Sequence, residues 1–92
     1  MKVMLVDDEK SLCTALGLII ERAGYGFVCA SDGDEALRLF SRERPDLAVL
    51  DVMLPGMDGF ELCERLRAAS PSLPILMLSA KSDIVDKRVG FK

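Results

Sequence analysis

The chain has 92 residues, half of them hydrophobic, and a formal net charge of −3, which together predict one domain of modest size. The negative charge argues against binding of nucleic acid or an anionic membrane by this segment, since both require a basic surface. No apolar run approaches the ~20 residues of a membrane span, and no stretch has the basic and apolar regions of a signal peptide.

Strand and helix patterns alternate along the first half of the chain. A short apolar run predicts a strand over Lys2–Val6, and apolar residues at helical spacing predict a helix over Ser11–Ala23. A second strand is predicted over Gly26–Ala30. Asp32 can cap a second helix, which ends before Pro45.

The same alternation continues through the second half. A third strand is predicted over Leu47–Leu50, a third helix from Asp58 or Gly59, a fourth strand over Ile75–Leu78 and a fourth helix over residues 84–91. Such alternation implies parallel strands joined by right-handed crossovers, with helices on both faces of the sheet. The apolar stripes expected to face the core are Leu12, Leu16 and Ile19 in the first helix and Phe60, Cys63 and Leu66 in the third.

Three carboxylates follow two of the predicted strands: Asp7 and Asp8 come after the first, and Asp51 closes the third. Parallel strands end at the same edge of a sheet, where such folds bind ligands, so these carboxylates should lie together. Three like charges repel one another unless a cation lies among them, and Mg²⁺ prefers oxygen ligands. The sequence therefore predicts a magnesium site around a carboxylate that could itself react.

The cysteines, Cys13, Cys29 and Cys63, are odd in number, widely separated and embedded in apolar pattern. The chain has no histidine to complete a zinc site. We therefore expect three reduced core thiols in a cytosolic protein, with no disulfide framework and no metal bound to sulfur.

Three loop motifs together resemble the receiver domain of bacterial response regulators. They are Val6-Asp7-Asp8-Glu9 after the first strand, residues 51–59 (DVMLPGMDG) after the third, and Leu78-Ser79-Ala80-Lys81 after the fourth. The resemblance covers residues 1–92 as a partial receiver domain, without the fifth strand and fifth helix of the family or the lysine and aromatic residue of that strand. It implies a flavodoxin-like three-layer αβα sandwich with a parallel sheet of order 2-1-3-4, incomplete at the C-terminus.

The resemblance also implies roles for individual residues. Asp51 would accept a phosphoryl group from the phosphohistidine of a histidine kinase, and Ser79 would donate a hydrogen bond to that group and act as a switch. Mg²⁺ would be held by Asp7, Asp8, Asp51 and the backbone carbonyl of Met53. The expected function is phosphorelay signalling in the cytoplasm, coupled to transcription regulation, with no enzyme activity of the domain itself.

Two other functions are considered. The first is a receiver-like module that is not phosphorylated and serves interaction or dimerisation, because the family lysine has no counterpart here. The second is a phosphohydrolase of the haloacid dehalogenase kind, which would need a second aspartate where Met53 stands.

An unpaired edge of the fourth strand also predicts self-association, as a homodimer through the fourth strand or the fourth helix.

Overall fold

The structure is a computed structural model that describes residues 1–78 and the backbone of residues 84–86. In chain order its elements are β1 (Lys2–Val6), α1 (Lys10–Arg22), β2 (Gly26–Ala30), α2 (Gly33–Glu43), β3 (Leu47–Asp51), α3 (Gly59–Ala69), β4 (Ile75–Leu78) and β5 (Ile84–Asp86). The bounds of β1–β4 and α1–α3 agree with the sequence prediction to within about one residue. Among the described residues, no helix is long and apolar enough to cross a lipid bilayer.

The strands form one sheet in the order β2-β1-β3-β4-β5. The first four are parallel, with Val3 opposite both Phe27 of β2 and Leu47 of β3, and Asp51 opposite Leu78 of β4. The predicted order 2-1-3-4 is therefore confirmed. Strand β1 lies at the centre of the parallel part, so the ends of β1 and β3 are adjacent at one edge of the sheet.

The fifth strand of the sheet was not predicted. Residues 84–86 pair antiparallel with β4, where Val85 lies opposite Met77. The predicted fourth helix is thus wrong at these three residues, and its remainder lies outside the described residues. The pair Ile84-Val85 is β-branched, which favours a strand. Because β5 hydrogen-bonds to β4, the open strand edge from which self-association was predicted is occupied at these positions.

The two faces of the sheet are covered unequally. On the face that carries α2 and α3, every strand side chain in the main core is almost fully buried except the half-buried Val28; the buried ones are Met4, Val6, Ala30, Ala48, Leu50, Ile75 and Met77. On the opposite face α1 packs against β2, and Gly17 allows the close approach, since a Cβ there would lie 2.9 Å from the Phe27 ring. Leu47, Val49 and Leu76 on that face remain partly exposed.

The two predicted apolar stripes have different outcomes. In α3, Cys63 and Leu66 are buried and Phe60 is half-buried, as predicted. In α1, however, Ile19 is 64% exposed, so its assignment to the core is wrong. Helical periodicity identifies the apolar side of a helix, but it does not establish how much of that side another element covers.

The cysteine prediction is also wrong in part. Cys13 in the first turns of α1 and Cys29 in β2 form a disulfide, with their Cα atoms 6.4 Å apart. Cys63 is buried in the core, as expected. The two bonded cysteines are 16 positions apart in the sequence, and no spacing pattern marks the pair. The pairing arises because β2 and α1 face each other, which is a property of the fold.

Candidate functional site

The three carboxylates predicted to lie together do so at the C-terminal ends of β1 and β3. Oxygen atoms of Asp7, Asp8 and Asp51 all lie within 4.8 Å of one another. Asp7 is buried, with 6% of its surface exposed, whereas Asp8 is exposed and Asp51 is intermediate. Asp7 therefore lies in the protein interior and Asp8 in water, with Asp51 between these two environments.

Asp7 is held by the backbone on both sides. Its amide donates to the carbonyl oxygen of Ala30 at 3.0 Å, which extends the pairing of β1 with β2 by one residue. Its Oδ1 accepts a hydrogen bond from the amide of Glu9 at 2.8 Å, at the start of α1. These two contacts fix the carboxylate where the strand meets the helix.

Asp51 is held by the loop between β3 and α3. Its Oδ1 accepts a hydrogen bond from the amide of Met53 at 3.1 Å, and the amide of Val52 donates to the carbonyl oxygen of Leu78 at 3.0 Å. The loop then returns to the strand, because the amide of Gly59 donates to the carbonyl oxygen of Val52 at 3.0 Å.

Gly59 lets the first turn of α3 touch this loop. A Cβ at residue 59 would collide with the carbonyl oxygen of Asp51 and lie 2.8 Å from the Cα of Val52. The preceding residue, Asp58, caps the helix by accepting from the amide of Glu61 at 2.8 Å. Sequence reasoning placed the helix start here but missed the steric role of the glycine, which becomes visible only when the helix and the strand end are seen together.

Electrostatics favour a cation at this cluster. Burial raises the pKa of Asp7, and the charges of Asp51, Asp8 and Glu9 raise it further, against the lowering effect of the Glu9 amide. Among residues 1–78, the ion pairs are formed by other side chains, so no arginine or lysine of this part of the chain forms an ion pair with the cluster. Three oxygen donors with excess negative charge form a ligand set suited to Mg²⁺.

The raised pKa gives a prediction for folding stability. The folded protein disfavours the ionised form of Asp7. The contribution of this group to the free energy of unfolding is therefore fully present below its ordinary pKa of 3.8, and it is lost as the pH rises through the raised pKa. Asp7→Asn keeps an acceptor oxygen and removes the charge. Without divalent cations, we expect it to raise the free energy of unfolding at pH 7 by on the order of 1 kcal/mol.

Urea unfolding in EDTA at pH 7 and near pH 4 measures this effect. The gain should shrink at the lower pH, where wild-type Asp7 is closer to neutral. Asp34→Asn is the matched control, since Asp34 is exposed in the first turn of α2. A variant at residue 7 that is less stable than wild type at pH 7 would contradict the prediction.

The two other predicted site residues are Met53 and Ser79. The amide of Met53 contacts Asp51, and its side chain is 66% exposed, but the role of its carbonyl as a metal ligand stays a prediction. Ser79 lies outside the described residues.

Comparisons with known proteins agree with this architecture. The family model "Response regulator receiver domain" matches residues 3–92. The alkaline phosphatase synthesis transcriptional regulatory protein PhoP of Bacillus subtilis is 50% identical over 91 residues, which are 99% of this chain and 38% of that protein. The transcriptional regulatory protein AfsQ1 of Streptomyces coelicolor is 44% identical over 90 residues, or 98% and 40% of the two chains. The chain thus spans about two fifths of the length of these relatives.

Solved structures are similar as well. A putative response regulator from Chloroflexus aurantiacus is 40% identical with a TM-score of 0.81, over 89% of this chain and 69% of that one. The non-phosphorylated HemR receiver domain from Leptospira biflexa is 32% identical with a TM-score of 0.82, over 96% and 70%. These similarities confirm the flavodoxin-like fold expected from the sequence.

Proposed function

The chain belongs to the response regulator receiver family of two-component signalling, and on that premise we propose that Asp51 accepts a phosphoryl group beside a bound Mg²⁺. The observation that carries the proposal is the cluster of three carboxylates within 4.8 Å, one of them buried with a raised pKa. Such a cluster is electrostatically costly in an apo protein, and a divalent cation relieves that cost.

The donor set fits the cation. Asp7, Asp8 and Asp51 would hold Mg²⁺ together with the carbonyl of Met53, and waters would complete the coordination. When bound, the ion supplies positive charge that offsets the charge on the transferring phosphoryl oxygens. Asp7 contributes from a fixed position, because the backbone holds it at both its amide and its Oδ1.

Asp51 supplies the nucleophile. One of its carboxylate oxygens attacks the phosphorus of a phosphohistidine, the N–P bond breaks, and the imidazole leaves as the acyl phosphate forms. The amide of Met53 orients the carboxylate by donating to Oδ1. Ser79 would then donate a hydrogen bond from its hydroxyl to a phosphoryl oxygen and act as the switch. This role rests on the motif Leu78-Ser79-Ala80-Lys81.

The partner of this reaction is a histidine kinase in the cytoplasm, and the domain acts as an acceptor rather than as an enzyme. Relatives named as transcriptional regulators suggest an output in transcription. We assign no nucleic-acid or membrane contact to this segment, in line with its net charge of −3. The homodimer stays a prediction, and the pairing of β5 with β4 removes the open-edge argument for it.

Binding of the cation is tested by thermal unfolding. Ligand at ten times its dissociation constant stabilises the native state by about 1.4 kcal/mol, which raises the midpoint of a domain of this size by roughly 6–11 °C. We expect such a rise as Mg²⁺ is increased through the millimolar range. Asp8→Asn should lose most of it, because Asp8 is an exposed ligand whose replacement leaves the core intact.

Asp34→Asn serves as the control for the loss of one exposed acidic charge elsewhere and should keep the full shift. An equal rise in the wild type and in the Asp8 variant would mean that the ion acts at another place. The proposed site would also be rejected if about 10 mM Mg²⁺ left the wild-type midpoint unchanged.

A further inference from the structure

The disulfide between Cys13 and Cys29 is a neighbour of Asp7, since the Sγ of Cys13 lies 3.7 Å from the carbonyl oxygen of Asp7. We infer that these two cysteines are a reversible dithiol–disulfide pair that sets the affinity of the cluster for Mg²⁺. The inference rests on the proposed function in one respect, namely that the cluster binds the ion. Three observations carry it: the spacing of the two cysteines, their access to solvent, and their contacts with the residues that hold Asp7.

The spacing suits reversible bonding within the chain. Cys13 and Cys29 stand on facing elements, α1 and β2, with a Cα separation of 6.4 Å that lies within the range of protein disulfides. The bond therefore closes between parts of the fold that are already neighbours, and it needs no rearrangement of the sheet. Cys63 is buried in the core on the other side of the sheet, away from this pair.

The pair is accessible to small molecules. Both cysteines line an open groove of about 360 Å³ between α1 and β2, together with Thr14, Leu18 and Phe27. Leu18 is 53% exposed at the rim of this groove. A low-molecular-weight thiol or disulfide can therefore reach the sulfur atoms without unfolding of the domain.

The contacts connect the pair to Asp7. The Sγ of Cys13 lies 3.7 Å from the carbonyl oxygen of Asp7, and the amide of Cys13 donates to the carbonyl of Glu9 at 3.2 Å. Glu9 is the residue whose amide holds the Asp7 carboxylate. On the other side, Ala30, which accepts from the Asp7 amide, directly follows Cys29. Each backbone contact of Asp7 thus belongs to one of the two segments that the disulfide joins.

The redox step is thiol–disulfide exchange with a low-molecular-weight disulfide. The thiolate of one cysteine attacks a sulfur of that disulfide, releasing one small thiol and leaving a mixed disulfide on the protein. The second cysteine then attacks the sulfur of the first cysteine, so that the internal disulfide forms and the second small thiol leaves. The protein loses two protons and two electrons, and the small disulfide gains them as it becomes two thiols. An excess of a small thiol reverses both steps.

The bond fixes the start of α1 against the end of β2 and so holds Asp7 in its liganding position. Pre-organised ligands bind with a smaller ordering cost. In the reduced form the covalent link is absent, and only packing and hydrogen bonds hold the two segments against each other and against Asp7. We therefore expect the oxidised chain to bind Mg²⁺ about 3–10-fold more tightly than the reduced chain.

The test uses the full 92-residue chain equilibrated with excess oxidised glutathione or excess dithiothreitol. Thiol alkylation followed by mass measurement counts the free cysteines, and calorimetric titration with MgCl₂ measures affinity. The oxidised chain should have two fewer alkylatable thiols and the tighter Mg²⁺ binding. Cys29→Ser should show one weak affinity under both conditions, and Cys63→Ala should keep the full redox response.

Four results would overturn the inference. Cysteines 13 and 29 could remain alkylatable in excess oxidised glutathione, or they could bond between chains. The internal bond could also form while the Mg²⁺ affinity stays equal in both forms, which would leave the proposed function standing. Absence of Mg²⁺ binding in both forms would instead remove the proposed function, and the inference with it.

Discussion

Asp51→Asn should reduce phosphoryl incorporation from acetyl phosphate to background, while the wild-type chain gains one phosphoryl group in the presence of Mg²⁺. The asparagine keeps the size of the side chain and its hydrogen-bond acceptor for the Met53 amide. It lacks the carboxylate that attacks phosphorus and becomes the acyl phosphate. Intact mass spectrometry at acidic pH, where the product is measured directly, checks this result, with Asp34→Asn as the matched control.

This experiment, together with an assay of phosphate-ester turnover, separates the three functions. Incorporation that survives in the Asp51 variant would refute the assignment of the phosphoacceptor. Absence of incorporation in the wild type, at Mg²⁺ concentrations that stabilise the fold, would favour a receiver-like module that acts without phosphorylation. Sustained turnover of a small phosphate ester would instead favour a phosphohydrolase.

Gly59→Ala should be strongly destabilising, although it adds a single methyl group. The atoms nearest to the added Cβ, which include the carbonyl oxygen of Asp51 and the Cα of Val52, belong to the backbone, and backbone cannot rotate away as a flexible side chain can. We expect a loss of about 2–3 kcal/mol in the free energy of unfolding. The first turn of α3 must move away from the site loop, so phosphoryl incorporation should also slow by at least about tenfold.

Gly26→Ala is the control for this substitution. Its nearest contact would be the Lys2 side chain at 3.4 Å, an ordinary van der Waals distance. Urea unfolding and the rate of labelling should therefore change little in this variant. If Gly59→Ala were as stable and as reactive as Gly26→Ala, the close packing of α3 on the loop would not matter for the site.

Much of the fold was predictable because the local patterns are strong. The apolar runs Lys2–Val6 and Ile75–Leu78 are strands with the predicted bounds, and Asp32 caps α2 by accepting from the Glu35 amide. The acidic cluster follows from these predictions, since parallel strands that end in carboxylates bring those carboxylates to one edge. No tertiary detail was needed for either step.

The errors concern relations between elements. The exposure of Ile19 and the bonding of Cys13 depend on how α1 packs on the sheet, which the periodicity of apolar residues does not determine. The strand at residues 84–86 depends on pairing with β4. Likewise, one of the two contacts that hold Asp7 comes from Ala30, which is distant in sequence, and no local pattern indicates it.

The central position of β1 has a consequence for the order of assembly during synthesis. This strand is made first, yet its partners are β2 and β3, and the second of these ends only at Asp51. At ~5–20 residues per second, a ribosome needs roughly 2–9 s to pass from the end of β1 to the end of β3. During that interval one edge of an apolar strand has no partner. Asp51 completes both the third strand and the acidic cluster, so the cluster cannot form before this last residue of the strand has been added.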